Sequence, residues 1–218
     1  MQAELFFVGD SHVCALAEAA TARGAAWRGG PLGTGKQLQT PFWLVEDGDF
    51  IFSGPGAGRV SDRFRPLLRF DGPIVSTLGF NTHRFVTDFA RWADRMGAPA
   101  APEAVSEAAF EALIVDSRRT ALDFYALLAQ HGRTVYTVAT PPRIDREYRA
   151  LCQAFELRLV DHIAAVGARP LDVSEAADED GMLRPQFASP SDAVHAGPAF
   201  GALVLDALAR EIEDSSRR

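Results

Sequence analysis

In LFFVGDSHV, residues 5–13, an apolar run ends abruptly on Gly9-Asp10-Ser11-His12. The run Leu5-Phe6-Phe7-Val8 has the length and composition of a strand buried on both faces. The next segment places Val13, Leu16, Ala17 and Ala20 on one helical stripe, and Gly24 supplies a stop signal. Ser11 therefore falls in a tight strand-to-helix turn, near the positive end of a helix. Two roles fit that place: a plain N-cap, or a hydroxyl presented for chemistry.

Outward from this turn the same alternation recurs. Residues 25–36 carry a short second strand that breaks into the glycine-rich turn GGPLGTG. Two apolar runs joined through Asp47-Gly48 then read as a hairpin. Residues 54–72 read as a loop with Arg59, Arg63, Arg65 and Arg69 spaced along it. PIVSTLGF (73–80) is a buried strand ending at Gly79-Phe80-Asn81. A helix comes next, with Phe85, Phe89, Trp92 and Met96 as its apolar stripe. Residues 106–131 predict one long helix, or two broken near Asp116-Ser117, with Phe110, Leu113, Ile114, Phe124, Leu127 and Leu128 apolar. Then come a strand ended by Pro141-Pro142, a helix over about 146–166, the short strand RPLDV (169–173) and an acidic surface loop, EAADEDGML. A last helix starts near Pro198 and turns Phe200, Leu203, Val204 and Leu208 inward.

Strands alternating with helices imply an α/β fold, a mainly parallel sheet with helices on both faces and an inserted β-hairpin. At 218 residues one core suffices, so residues 1–218 are expected to form a single domain with an insertion at about 36–70. Ligands gather at the carboxyl ends of such strands. Here those ends are GDSH, GGPLGTG, GFNTH and ATPPR, each polar or glycine-rich where apolar character stops.

Composition narrows the partners. A net charge of −7 argues against nucleic acid or an anionic membrane, since both reward a basic surface. No apolar segment approaches the length that spans a bilayer, and no basic-then-apolar leader precedes the first strand. Cys14 and Cys152 read as reduced packing residues, and a cytoplasmic location is expected.

Near the C-terminus, SPSDAVHAGPAFG (189–201) sets Asp192 three residues before His195. A serine in a sharp turn gains nucleophilicity when an imidazole takes its proton, and the imidazole needs a carboxylate to fix its tautomer. Asn81, ending a buried strand, can donate its amide to a developing oxyanion, or simply form a turn. Gly9-Asp10-Ser11, Gly79-Phe80-Asn81 and Asp192-Ala193-Val194-His195, in this order and context, resemble the SGNH or GDSL hydrolases. Gly201, six residues after the histidine, is similar to the family's closing pattern.

The resemblance implies a flavodoxin-like three-layer sandwich and ester hydrolysis with neither metal nor other cofactor. By it, Ser11 is the nucleophile, His195 the base and Asp192 its orienting partner. The oxyanion hole combines the Ser11 backbone N–H, a glycine N–H and the Asn81 side chain. Gly33 is the favoured glycine from topology, with Gly30 and Gly35 close behind and Gly56 the alternative. His12 replaces the usual leucine, and Thr82 stands where many members have aspartate. The expected substrate is a small ester with a short or polar acyl group, or an acylated carbohydrate.

The other polar residues admit two readings each. Asp10, His12 and His83 line the site or hold the turns. Arg143 grips a substrate anion or makes a surface ion pair. The arginines at 59–69 shape an anionic entrance or are solvated. Phe42, Trp43, Phe50 and Phe52 pack the hairpin, or stack on a sugar. Asp10, His12, Asp49, Asn81, His83 and His195 also supply ligand types for a two-metal phosphoesterase, though without an adjacent Asn-His pair. Two further alternatives are transfer of the acyl group to a sugar hydroxyl, and a pocket kept only to bind a sugar or acyl group.

Overall fold

The computed structural model describes residues 4–54, 56–141, 143–191 and 194–217. The chain starts with β1 (Leu5–Gly9), buried throughout, and turns into α1 (Val13–Ala22). β2 (Trp27–Pro31) returns parallel to β1. Next is a separate antiparallel hairpin, β3 (Trp43–Glu46) and β4 (Asp49–Phe52). Its turn residues Asp47 and Gly48 both have positive φ, 51° and 76°, as a two-residue type I′ turn requires.

Residues 54–72 are not the loop that the sequence suggests. They hold α2 (Ala57–Phe64) and a 3-10 turn (Arg65–Arg69). Val60, Phe64, Leu67 and Leu68 recur at helical spacing and are buried; the arginines between them mask that period. Two of the arginines are engaged by the hairpin. Arg65 and Arg69 reach Asp49 at 3.8 and 2.9 Å, which fastens the segment to the hairpin. The Arg59 side chain lies outside the described set.

β5 (Ile74–Ser76) leads to α3 (Thr82–Met96), then α4 (Glu107–Gln130), β6 (Val135–Thr137) and α5 (Arg149–Ala165). α4 runs unbroken through Asp116-Ser117, and its start is capped by Ser106, whose hydroxyl accepts the Ala109 N–H at 3.2 Å. Met96 and Leu113 do not join the core; they are 66% and 44% exposed. β7 (Arg169–Pro170), α6 (Ser174–Ala177), a minimal hairpin β8 (Asp178–Glu179) and β9 (Met182–Leu183), and α7 (Pro198–Arg217) complete the chain. The acidic stretch is thus folded: Asp178 accepts the Gly181 N–H and closes the small hairpin.

The central sheet has the order β2-β1-β5-β6-β7 and is parallel throughout. It is the middle layer of a flavodoxin-like α/β sandwich. On one face α3, α4 and α5 pack with the β3–β4 hairpin and α2. Phe42, Phe50 and Phe52 are buried there, the first two against Phe124, so these rings are core. On the other face α1 and α7 lie together over Phe7, Val75 and Tyr136. Their approach is close enough that a Cβ at Gly201 would sit 2.0 Å from the Ala15 carbonyl oxygen, so only glycine fits. Cys14 and Cys152 are unpaired thiols. Among the described residues no helix is long and apolar enough to cross a membrane.

Candidate active site

The winding of the sheet reverses between β1 and β5, and their carboxyl ends flank the crevice that such a reversal opens. β1 delivers Asp10, Ser11 and His12; the segment after β5 delivers Thr77 to Asn81. His195 arrives from the far end of the chain. Its Nε2 lies 2.7 Å from the Ser11 Oγ, across a sequence separation of 184. Asp192, the expected orienting carboxylate, lies outside the described residues.

The two roles open to Ser11 separate cleanly here. His12 occupies the N-cap position of α1, and no side chain caps that end. The turn is instead closed by Asp10, 2% exposed, whose carboxylate accepts the His12 N–H and the Thr77 hydroxyl, each at 3.1 Å. Thr77 leaves the β5 ladder to make this bond. Asp10 is thus engaged in shaping the turn, and the Ser11 hydroxyl is directed to imidazole rather than to the helix.

Asn81 shows the same division. It sits at the N-cap of α3 and is buried, yet its side chain makes no capping bond. Its backbone holds the turn, the carbonyl accepting from the Arg84 N–H at 3.0 Å. Gly35 presses on the amide: a Cβ there would lie 2.4 Å from Asn81 Nδ2. Gly33, favoured from topology, faces Gln37 instead; Gly30 faces Arg63, and Gly56 starts α2 with nothing near it. The loop after β2 runs beyond Gly33 before it meets the start of α3, so Gly35 is the glycine brought to Asn81.

The segment carrying Asn81 hangs from α4. The Tyr125 hydroxyl donates to the Leu78 carbonyl at 2.8 Å. Arg118, 3% exposed, donates through Nε to the Gly79 carbonyl at 2.7 Å and through Nη2 to the Asn81 carbonyl at 3.4 Å. Its guanidinium lies 4.8 Å from the centre of the Phe155 ring. Burial pushes its pKa down to about 10, which still leaves it charged at neutral pH. Nothing in a local motif marks Arg118. The available signal was a charged residue on the apolar stripe Ile114, Ala121 and Tyr125.

If the ester hydrolysis that the resemblance implies takes place here, Arg118→Met is expected to stay folded and lower kcat on the order of 10- to 100-fold with KM little changed, because Asn81 loses its anchor. Arg118→Lys should not restore the rate, since an ammonium lacks the planar fork. Steady-state kinetics with circular dichroism check this; an unchanged kcat would reduce Arg118 to packing.

His12 packs against His195 with ring centres 4.8 Å apart and planes tilted by 50°, and lies 6.3 Å from His83. Burial, then the neighbouring His12, push the His83 pKa down, so that ring is neutral at pH 7. His12, His83, Thr140, Arg143 and Val194 line a cavity of about 170 Å³. Arg143 also donates to the carbonyls of Ser189 and His195, at 3.4 and 3.1 Å, and so braces the segment that carries the imidazole. Among the described residues no three His, Cys, Asp or Glu side chains converge as metal ligands; Asp49, one of the set considered, is paired with Arg65 and Arg69.

Comparison with protein-family models and with curated protein sequences finds no match for this chain.

Proposed function

We propose that this protein is a serine hydrolase acting on esters with short or polar acyl groups, O-acetylated carbohydrates among them, through an acyl-enzyme. The observation that carries this reading is the 2.7 Å contact of Ser11 Oγ with His195 Nε2, in a turn that Asp10 closes. The resemblance to the SGNH hydrolases assigns the same pair.

In the proposed reaction His195 Nε2 takes the hydroxyl proton as Ser11 Oγ attacks the ester carbonyl carbon. The carbonyl oxygen becomes an oxyanion, to which the Ser11 N–H, the Gly35 N–H and the Asn81 amide are assigned as donors. Collapse breaks the bond to the alcohol oxygen, which leaves with the proton from the imidazolium. Water then repeats the sequence: it loses a proton to His195, attacks the acyl carbon, and releases the acid and free Ser11. Asp192 is assigned to hold the imidazole in the right tautomer. The 170 Å³ cavity beside His12 has room for an acyl group of a few carbons and too little for a long chain.

The test is covalent. A fluorophosphonate should add one phosphonyl group per chain, on the peptide containing Ser11, and fail to react with His195→Ala. Mass spectrometry that finds no adduct, or finds it on another residue, overturns the reading.

A further inference from the structure

A second, larger cavity of about 480 Å³ lies between α5 and the carboxyl ends of β6 and β7. Its walls are mostly apolar, with Phe80, Leu157, Val160, Leu171 and Val173 among them. The polar groups in it are unbalanced. Glu156, Asp172 and Asp178 line it, and no lysine, arginine or histidine does.

Two of these carboxylates are satisfied by their own loops. Asp172 accepts the N–H and hydroxyl of Ser174 at 2.9 and 2.6 Å, and Asp178 accepts the Gly181 N–H. Glu156 differs. Among the described residues it accepts one hydrogen bond, from the Thr82 hydroxyl, and pairs with no cation. Thr137 supplies an independent observation. It is fully buried, it lines the same cavity, and its hydroxyl has no hydrogen-bond partner among the described residues. An unmet buried hydroxyl is costly, and a carboxyl sunk in an apolar wall without a cation is more so.

We propose that this cavity binds an organic ammonium, its apolar stem along Leu157, Val160 and Leu171 and its charged nitrogen donating to Glu156 and Thr137. Anions are disfavoured by the carboxylates. A neutral alcohol would leave Glu156 without a counter-charge. The cavity shares Phe80 and Pro141 with the smaller one beside His12. The inference concerns binding alone and does not depend on ester hydrolysis; if hydrolysis holds, the far end of an amine-bearing ester would lie here.

The protonation of Glu156 supplies a second readout. Burial, with Asp178 adding to it against the Thr82 hydrogen bond, pushes its pKa up to about 7. The groups facing it are Thr82 from α3, Thr137 from β6, Asp172 and Asp178 from the loop beyond β7, and the neutral Cys152 thiol, itself pushed up to about 12, from α5. Arg118 stacks on Phe155 one residue away, but its N–H groups are turned to Gly79, Ser117 and Asn81. An alkylammonium stays protonated from pH 6 to 8, while Glu156 passes from mostly neutral to mostly ionised. Affinity should therefore rise about tenfold across that range.

Isothermal titration with hexylammonium, 1-hexanol and hexanoate, each at pH 6 and 8, tests the inference. Hexylammonium should bind one per chain, at least tenfold more tightly than the alcohol or the acid, and gain affinity as pH rises. Glu156→Gln should lose at least tenfold in that affinity and lose the pH dependence. Thr137→Val, an isosteric change that removes only the orphan hydroxyl, should weaken binding severalfold and guards against a misfolded glutamine variant. Hexanol binding as tightly as hexylammonium, full affinity in the glutamine variant, or no binding of the amine at millimolar concentration would each overturn it. None of these outcomes bears on whether Ser11 forms an acyl-enzyme.

Discussion

Ser11→Ala is expected to lose ester hydrolysis by roughly 10⁴-fold or more in kcat while keeping its fold. The methyl group cannot attack, and what remains is the catalysis that the oxyanion donors give to water. Stability should change little. The hydroxyl caps no helix and its partner is the half-buried His195, so its loss is worth about 1 kcal/mol. Initial rates on a soluble acetyl ester, with a thermal melt of both proteins, decide the matter. A folded variant retaining more than a few per cent of the activity would move the nucleophile elsewhere.

Asn81→Ala should lower kcat by roughly 10²–10³, about 2.7–4 kcal/mol, with KM nearly constant. The charge that the amide meets exists in the transition state and not in the bound ester, so ground-state binding gains nothing from it. The position is already fixed without the side chain: Arg118 and the Arg84 N–H hold the Asn81 carbonyl, and the amide makes no capping bond. Truncation should therefore leave the backbone in place. Asn81→Asp should be at least as damaging, because a carboxylate repels the developing charge. Both constants measured for both variants test this. A loss confined to KM would make Asn81 a binding residue.

The features legible in the residues alone were local. The periods that place β1, α1, α4 and α7, and the Asp-Gly turn of the hairpin, depend on neighbours a few positions away. The strand-end positions of Ser11 and Asn81 were likewise legible, because a parallel sheet sends its strand ends to one edge, whereas His195 was assigned from its spacing to Asp192 and from the resemblance. Contacts between distant segments were not. Asp10 rather than Ser11 closes the first turn because Thr77, brought alongside by β5, reaches its carboxylate. Gly35 rather than Gly33 meets Asn81 because the loop path after β2 depends on where α3 starts. α2 and the 3-10 turn after it were hidden because arginines separate their apolar residues; Arg65 and Arg69 of that turn answer Asp49 on the hairpin, so a stretch that is polar in sequence is amphipathic in place.

The packing of α7 along α1 has a consequence in time as well as in space. Gly201 against Ala15 joins two helices that are made far apart in time, and the hydrogen bond between Ser11 and His195 spans nearly the same interval. At about 5–20 residues per second, Ser11 leaves the ribosome roughly ten to forty seconds before His195. Throughout that interval β1, β5 and Asn81 can be in place while the Ser11 hydroxyl lacks the His195 imidazole. In a nascent chain of this design that pair cannot form until the segment leading into α7 arrives. The Ser11–His195 contact thus reports that the segment leading into α7 has docked.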